Sequence, residues 1–363
     1  MRHALVGLAL LATAATPAVA QDSQFGINSP GTPGRWESVR ARTTGGAFAA
    51  FDPTSPLMEA QLAGLRAVVV SGEQSMSVRR EEVGGTSATL RTVRYPLATL
   101  SGPIGTRFAL GGGYSTYLDR TFNVVIQDTI MLRGVAQPVT DHLSSDGGVS
   151  DLRLAGAAQL GRHISIGAAY HLLTGSAKVS ATRTFSDTLY RNASETNEVG
   201  YDGAGVSGSA LLRFGTKLGI AAYARSDTRL RTRIGGLALA QDDLPSMVGG
   251  AIGWQPDSSL SMAASVTYRT WGNSIPTAHN TLNWSAGLEL GTHRPLRLGV
   301  RGGQMPFVPN GPAPRETGLS VGSGLVLAQG HGIIDYGVEY LQRKGGGLTE
   351  HVWTILLGFT VRP

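Results

Sequence analysis

The sequence predicts an all-β fold, a closed antiparallel up-and-down transmembrane β-barrel of about fourteen strands with an N-terminal hatch segment inside it. Three observations lead there. Apolar residues recur at every second position from about Leu65 to the C-terminus. The connections between these alternating stretches are short and long in turn. The segment before the first of them carries aromatic residues and does not alternate.

The period of two is clearest at the end of the chain. Trp353, Ile355, Leu357, Phe359 and Val361 form one face, and Thr354, Leu356, Gly358 and Thr360 form the other. Before it, Ile334, Tyr336, Val338 and Tyr340 oppose Asp335, Gly337, Glu339 and Arg343. The pattern recurs at Leu260–Arg269, Leu282–Gly291, Leu296–Arg301, Ile164–Leu172 and Ala210–Phe214. Alternation at 180° per residue marks strands with two different surroundings. A soluble sandwich alternates as well, so the composition of the second face decides. That face is rich in Gly, Ser, Ala and single charges, which suits a polar lumen with lipid on the other side. Tyr170, Phe214, Trp254, Tyr268 and Trp353 lie at strand ends, where an interfacial girdle places aromatics.

Short connections are expected at Ser101–Pro103, Gly161–His163, Gly215–Lys217, Gln255–Ser258, Gly291–Pro295 and Ala328–Gly332. Longer ones are expected at Arg79–Ser87, Asp119–Gly148, Gly175–Gly200, Ser226–Leu244, Gly272–Ala278, Gln304–Pro314 and Lys344–Thr349. Short turns on one side and long loops on the other, with an even strand count, describe an outer-membrane barrel with both ends in the periplasm. Within the first long connection after Asp119, the apolar run Phe122–Leu132 reads either as strand extending beyond the membrane or as an apolar external loop.

Residues 1–20 read as a secretory signal: Arg2 and His3, an apolar run Ala4–Ala15, then the A-x-A site Ala18-Val19-Ala20. The run is too short to span a bilayer as a helix. Residues 21–63 are broken by Pro30, Pro33, Pro53 and Pro56 and carry Phe25, Trp36, Phe48 and Phe51. A barrel this wide is not filled by its own side chains, so this segment is expected to plug it, leaving residues 64–363 as the barrel. Cysteine is absent, which excludes disulfides, thiolate metal sites and a cysteine nucleophile. Charged residues make up 15% of the chain, below the ~25% typical of soluble domains. The net charge of +6 is scattered along the chain, so no nucleic-acid partner is expected.

No catalytic residue, metal site or cofactor is expected. The histidines are dispersed: His142 in a long loop, His163, His293 and His331 in short turns, His171, His279 and His351 near strand ends. No H-x-x-x-H pattern occurs, and the G-x-S-x-G match at Gly318–Gly322 falls within an alternating stretch and not at a strand-to-helix turn. The charges Arg269, Glu289, Arg297, Arg301, Asp335, Glu339 and Arg343 fall on the inward face. They read either as an internal salt-bridge network or as a polar lining that takes a ligand head group, for which Arg offers the planar two-donor fork. Candidate ligand-contacting residues in hatch and lumen are Phe48, Phe51, Arg297, Arg301 and Glu339.

The stretch from Val39 to Asp52, with Arg40, Arg42, Gly45-Gly46 and Phe48, resembles the N-terminal hatch of the FadL-type outer-membrane transporters. The C-terminal segments Glu316–Gly322, Ile334–Tyr340 and Leu348–Glu350 are also similar to that family and its relatives. The order of hatch, about fourteen strands and periplasmic C-terminus agrees along the mature chain. Two departures stand out: Met58-Glu59-Ala60 where the family carries Asn-Pro-Ala, and an ending in Val361-Arg362-Pro363 where barrels commonly end in an aromatic residue. The resemblance implies an outer-membrane channel for passive uptake of hydrophobic small molecules such as long-chain fatty acids. Its partners would be outer-membrane lipids, the hydrophobic ligand and the outer-membrane assembly machinery. A structural or secretion-partner barrel and a general diffusion porin are the alternatives.

Overall fold

The computed structural model describes residue 25 and residues 29–83, 86–275, 278–307 and 311–363. The proposed signal at residues 1–20 lies outside them. Fourteen strands follow one another around a ring: β1 (Val69–Val83), β2 (Thr86–Ile104), β3 (Phe108–Asp119), β4 (Val135–Gln159), β5 (Ile164–Phe185), β6 (Ala193–Phe214), β7 (Leu218–Asp227), β8 (Met247–Trp254), β9 (Leu260–Arg269), β10 (Thr281–Leu290), β11 (Leu296–Gln304), β12 (Arg315–Leu327), β13 (Gly332–Gly345) and β14 (Leu348–Val361). Each pairs antiparallel with the next. The last returns to the first, from Leu348 opposite Val83 to Val361 opposite Val70, so the ring has no open edge around its base.

The alternation sorts the side chains as expected. Trp353, Ile355, Phe359 and Val361 point outward and are exposed, while Thr354, Leu356 and Thr360 point inward and are buried. Leu319, Val321, Leu298, Val300, Leu282 and Trp284 continue the outward band on neighbouring strands. A soluble protein does not expose a contiguous apolar surface of this extent. Only a helix or a closed ring of strands satisfies every backbone amide in hydrocarbon. The exterior is therefore a lipid-facing surface, and the barrel spans a membrane. Phe108, Phe214 and Trp254 are exposed beside the short turns at 105–107, 215–217 and 255–259, a partial aromatic girdle at that end.

The short turns agree with expectation except the first. Strand β2 continues through Ser101-Gly102-Pro103 to Ile104, and the reversal comes at 105–107, where Gly105 has φ 66°. Pro103 sits late in β2, opposite Ala109. The long connections differ more. Residues 79–83 and 86–87, most of 175–200, and 344–345 with 348–349 are strand, because the hairpins run on past the bilayer. Strands β4, β5 and β6 have 25, 22 and 22 residues, about twice the 9–11 that cross a membrane. Phe122–Leu132 is itself a strand, paired with residues 135–145 of β4, and is not an irregular loop. His142 therefore lies in a strand, and the first barrel strand starts at Val69.

Residues 29–64 sit inside the ring. Ser38 caps the short helix α1 (Val39–Thr43) by accepting from the Ala41 amide at 3.2 Å, and its Oγ donates to Asp52 at 2.7 Å. Turns of 3₁₀ helix follow at Ala47–Ala50 and Glu59–Gly64. Phe25, Trp36 and Phe48 are buried, as the composition of the segment led one to expect. The wall makes room for the hatch backbone with glycine. A Cβ on Gly299 or Gly287 would overlap the Thr44–Gly45 peptide.

Candidate functional site: the hatch and the lumen

Hatch and wall meet through apolar clusters, in which Trp36, Met58 and Leu62 pack against the wall, and through ion pairs. The hatch contributes Arg35, Arg40 and Arg42, and the wall contributes carboxylates from β1, β10 and β13. Arg40 makes a two-pronged contact with Glu289 at 2.9 and 3.0 Å. Arg42 reaches Glu73 at 2.9 Å and Glu339 at 3.2 Å. Arg35 reaches Glu339 at 3.1 Å and Glu37 of the hatch at 3.0 Å. Burial acts to raise the Glu37 carboxyl, but the neighbouring Arg35 and Arg301 guanidiniums prevail and hold it at about 2.

Behind this layer the wall has its own pairs. Arg297 holds Glu289 and Asp335, each at 2.6 Å, and Arg343 holds Glu316 at 2.7 Å and Glu350 at 3.3 Å. Arg301 also pairs with Glu316. Apart from Arg269, which lies over the Trp36 ring and reaches the Met247 sulfur, the inward charges thus form the network that was one of the two sequence readings. Arg297, Arg301 and Glu339 are committed to carboxylate or guanidinium partners in this state. Phe48 and Phe51 lie elsewhere, on the wall of a cavity at the short-turn end.

That cavity is about 480 Å³ and is also lined by Arg40, Arg213, Lys217 and Met262. On the loop side of the hatch the space is smaller, about 100 Å³, between Arg35, Glu37, Arg269 and Trp271. Ligand pockets usually hold ~300–1,000 Å³, so the loop side is closed to a ligand in this conformation. Aromatic residues close it. Trp271 of the short helix α2 (Trp271–Ser274) meets Phe307 edge-on at 5.2 Å between centroids. Trp36 lies 6.2 Å from Tyr117, with Arg225 and Arg269 over its ring at 5.1 and 5.3 Å. Sequence reading missed this cluster, because Trp36, Tyr117, Trp271 and Phe307 come from four distant segments and carry no common spacing.

A second missed group joins β4, β5 and β6 to the hatch. His171 is mid-strand and buried, with Nδ1 2.8 Å from Asp151 and Nε2 2.8 Å from Ser207 Oγ. This order of Ser, His and Asp is that of an acyl-transfer triad. The hydrogen bonds run otherwise. Ser207 Oγ donates to Glu59 of the hatch at 2.6 Å, Ser209 Oγ donates to the other Glu59 oxygen at 2.7 Å, and Asp151 also holds Arg225. With its single proton on a carboxylate, Ser207 is not poised to attack, and the chain ties the hatch to the wall. Glu59 is the middle residue of the Met58-Glu59-Ala60 departure, which was the one signal in the sequence that something specific happens there.

Fold and site together define a membrane-spanning β-barrel whose lumen is occupied by its own N-terminal hatch. No protein-family model matches the chain, and no curated protein matches it in sequence. Among solved structures it is similar to a Pseudomonas aeruginosa FadL homologue, with TM-score 0.65 and 13% identity over 92% of this chain and 99% of that one. The CymD monoaromatic hydrocarbon channel gives 0.62 and 14% over 93% and 99%. The P. putida toluene transporter TodX gives 0.62 and 12% over 91% and 99%. At these identities the likeness is one of fold, and it extends over nearly the full length of each of those chains.

Proposed function

We propose that the protein is a Gram-negative outer-membrane channel for passive uptake of hydrophobic small molecules, long-chain fatty acids and hydrocarbons among them. The observation that carries this reading is the arrangement of the lumen. An apolar-jacketed barrel is filled by a hatch held through ion pairs and hydrogen bonds to the wall, with an aromatic-lined space on each side. The paired charges exchange partners for water and salt when the hatch moves, and Trp36, Ala50, Met58 and Ala60 leave the apolar cluster they share with the wall. The fold shared with a toluene transporter and a monoaromatic hydrocarbon channel supports the same substrate class. Export by cleavage after Ala20, and insertion by the outer-membrane assembly machinery, belong to this reading.

In it the ligand arrives at the loop side, and the Trp36–Trp271–Phe307 cluster gives way. Phe48 and Phe51 receive its apolar part past the hatch, and Arg297, Arg301 and Glu339 exchange partners as the hatch shifts. Liposomes carrying the protein should take up a labelled fatty acid or toluene severalfold faster than empty ones. Equal rates for both compounds would refute uptake and leave the structural or secretion-partner barrel as the better account. A diffusion porin is disfavoured by the filled lumen.

A further inference from the structure

On β12, β13, β14 and β1, ionisable neighbours sit at the loop end as dipeptides: Arg315-Glu316, Arg343-Lys344, Glu350-His351 and Arg80-Glu81. Alternation sends one member of each to the lumen. The acids Glu316, Glu350 and Glu81 turn inward and are buried, and Arg343 and Arg79 turn inward with them. Arg315, Lys344, His351 and Arg80 turn outward, as does Arg91 of β2, opposite Val78. Each of them follows the last outward apolar residues of its own strand: Leu319, Tyr340, Trp353, Val78 and Val93.

The outward cations stand side by side. Arg315 is directly opposite Lys344, and Arg80 is directly opposite His351. The like charges of Arg315 and Lys344 in cross-strand register repel. Among the described residues, neither Arg315, Lys344 nor Arg91 has a carboxylate within ion-pair distance. The acid on this outward belt is Glu82, which pairs with Arg80 at 3.2 Å. His351 Nδ1 is engaged by the Tyr340 hydroxyl at 2.7 Å, and the Tyr340 ring packs at a tilt against Trp353 at 4.7 Å between centroids.

We infer that this belt binds the phosphate-bearing headgroup of a lipid in the loop-side leaflet, with Arg315 and Lys344 as its centre. The anion relieves the repulsion between the two cations. The acyl chains lie on the apolar band directly below, along Leu319, Tyr340 and Trp353. This continuity with the lipid-facing surface is what assigns a membrane lipid to the site, since a soluble anion would gain nothing from the band.

Trp353 reports on the site because it is outward and next to the belt. Full-length protein is reconstituted with brominated phosphatidylglycerol or brominated phosphatidylcholine, and the Trp353 signal is taken as the difference from Trp353→Phe. The anionic lipid should reach half-maximal quenching at a mole fraction about fivefold lower, the factor that roughly one effective surface cation supplies. The R315Q/K344Q variant, checked for an intact barrel by heat-modifiable gel migration, should bring the two lipids level. Equal quenching in the wild type, or a preference that survives in the variant, would overturn the inference. So would loss of the preference on adding inorganic phosphate at constant ionic strength, since the occupant would then be a free anion.

Discussion

Arg42 compensates two carboxylates from opposite sides of its guanidinium, Glu73 on β1 and Glu339 on β13, and all three side chains are buried. Removing one partner of such a set leaves charge uncompensated in a poor solvent. Arg42→Ala is therefore expected to weaken hatch docking by roughly 3–5 kcal/mol, read as a lower urea midpoint for protease cleavage within residues 29–64 while the barrel stays folded. Glu37 predicts a pH dependence. Its carboxyl is held at about 2 in the docked hatch, against an ordinary value of 4.5. A depressed value means that docking is fully supported above the ordinary value and loses this contribution as pH falls from 4.5 towards 2. Ion conductance should rise over that window, and Glu37→Gln should flatten the rise. A wild-type conductance that is constant across the window would remove Glu37 from the account.

Single strands carry the sorting of surroundings. On β14, Ile355 faces lipid and Leu356 faces the lumen. Ile355→Arg should cost about 2–4 kcal/mol of barrel stability if it lies near the bilayer midplane, measured by refolding from urea into bilayers. A cost below 1 kcal/mol would mean that the face is wet. The hatch has its own element-level test. Gly299 on β11 lies against the Thr44–Gly45 peptide, whereas a Cβ at Gly208 on β6 would make only an ordinary contact. Gly299→Leu should displace the hatch and open the lumen without unfolding the ring, and Gly208→Ala should do neither. Planar-bilayer recordings with gel migration as the folding control decide it.

At the scale of the whole molecule, the ring was legible in the sequence because its cause is local. A strand with lipid on one side and a packed lumen on the other must alternate, and Trp353–Val361 does so without interruption. The hatch was legible through its prolines and its aromatics. The hairpin extensions were not. Residues 79–83 and 175–185 carry charges and glycine, and a strand that leaves the membrane loses the apolar face that would announce it. The meeting of Arg40 with Glu289, or of His171 with Ser207 and Glu59, was beyond reach, because such pairs are set by which strands become neighbours across the ring. The sequence showed which residues face inward and left open which would touch.

The account rests on a lumen that its own N-terminal segment closes within a lipid-facing barrel. Single-channel conductance of the full-length protein in a planar bilayer at neutral pH tests this most directly. The trace should stay near baseline, with rare brief openings that become large and steady when residues 21–60 are removed. A large, steady conductance from the intact protein would contradict it.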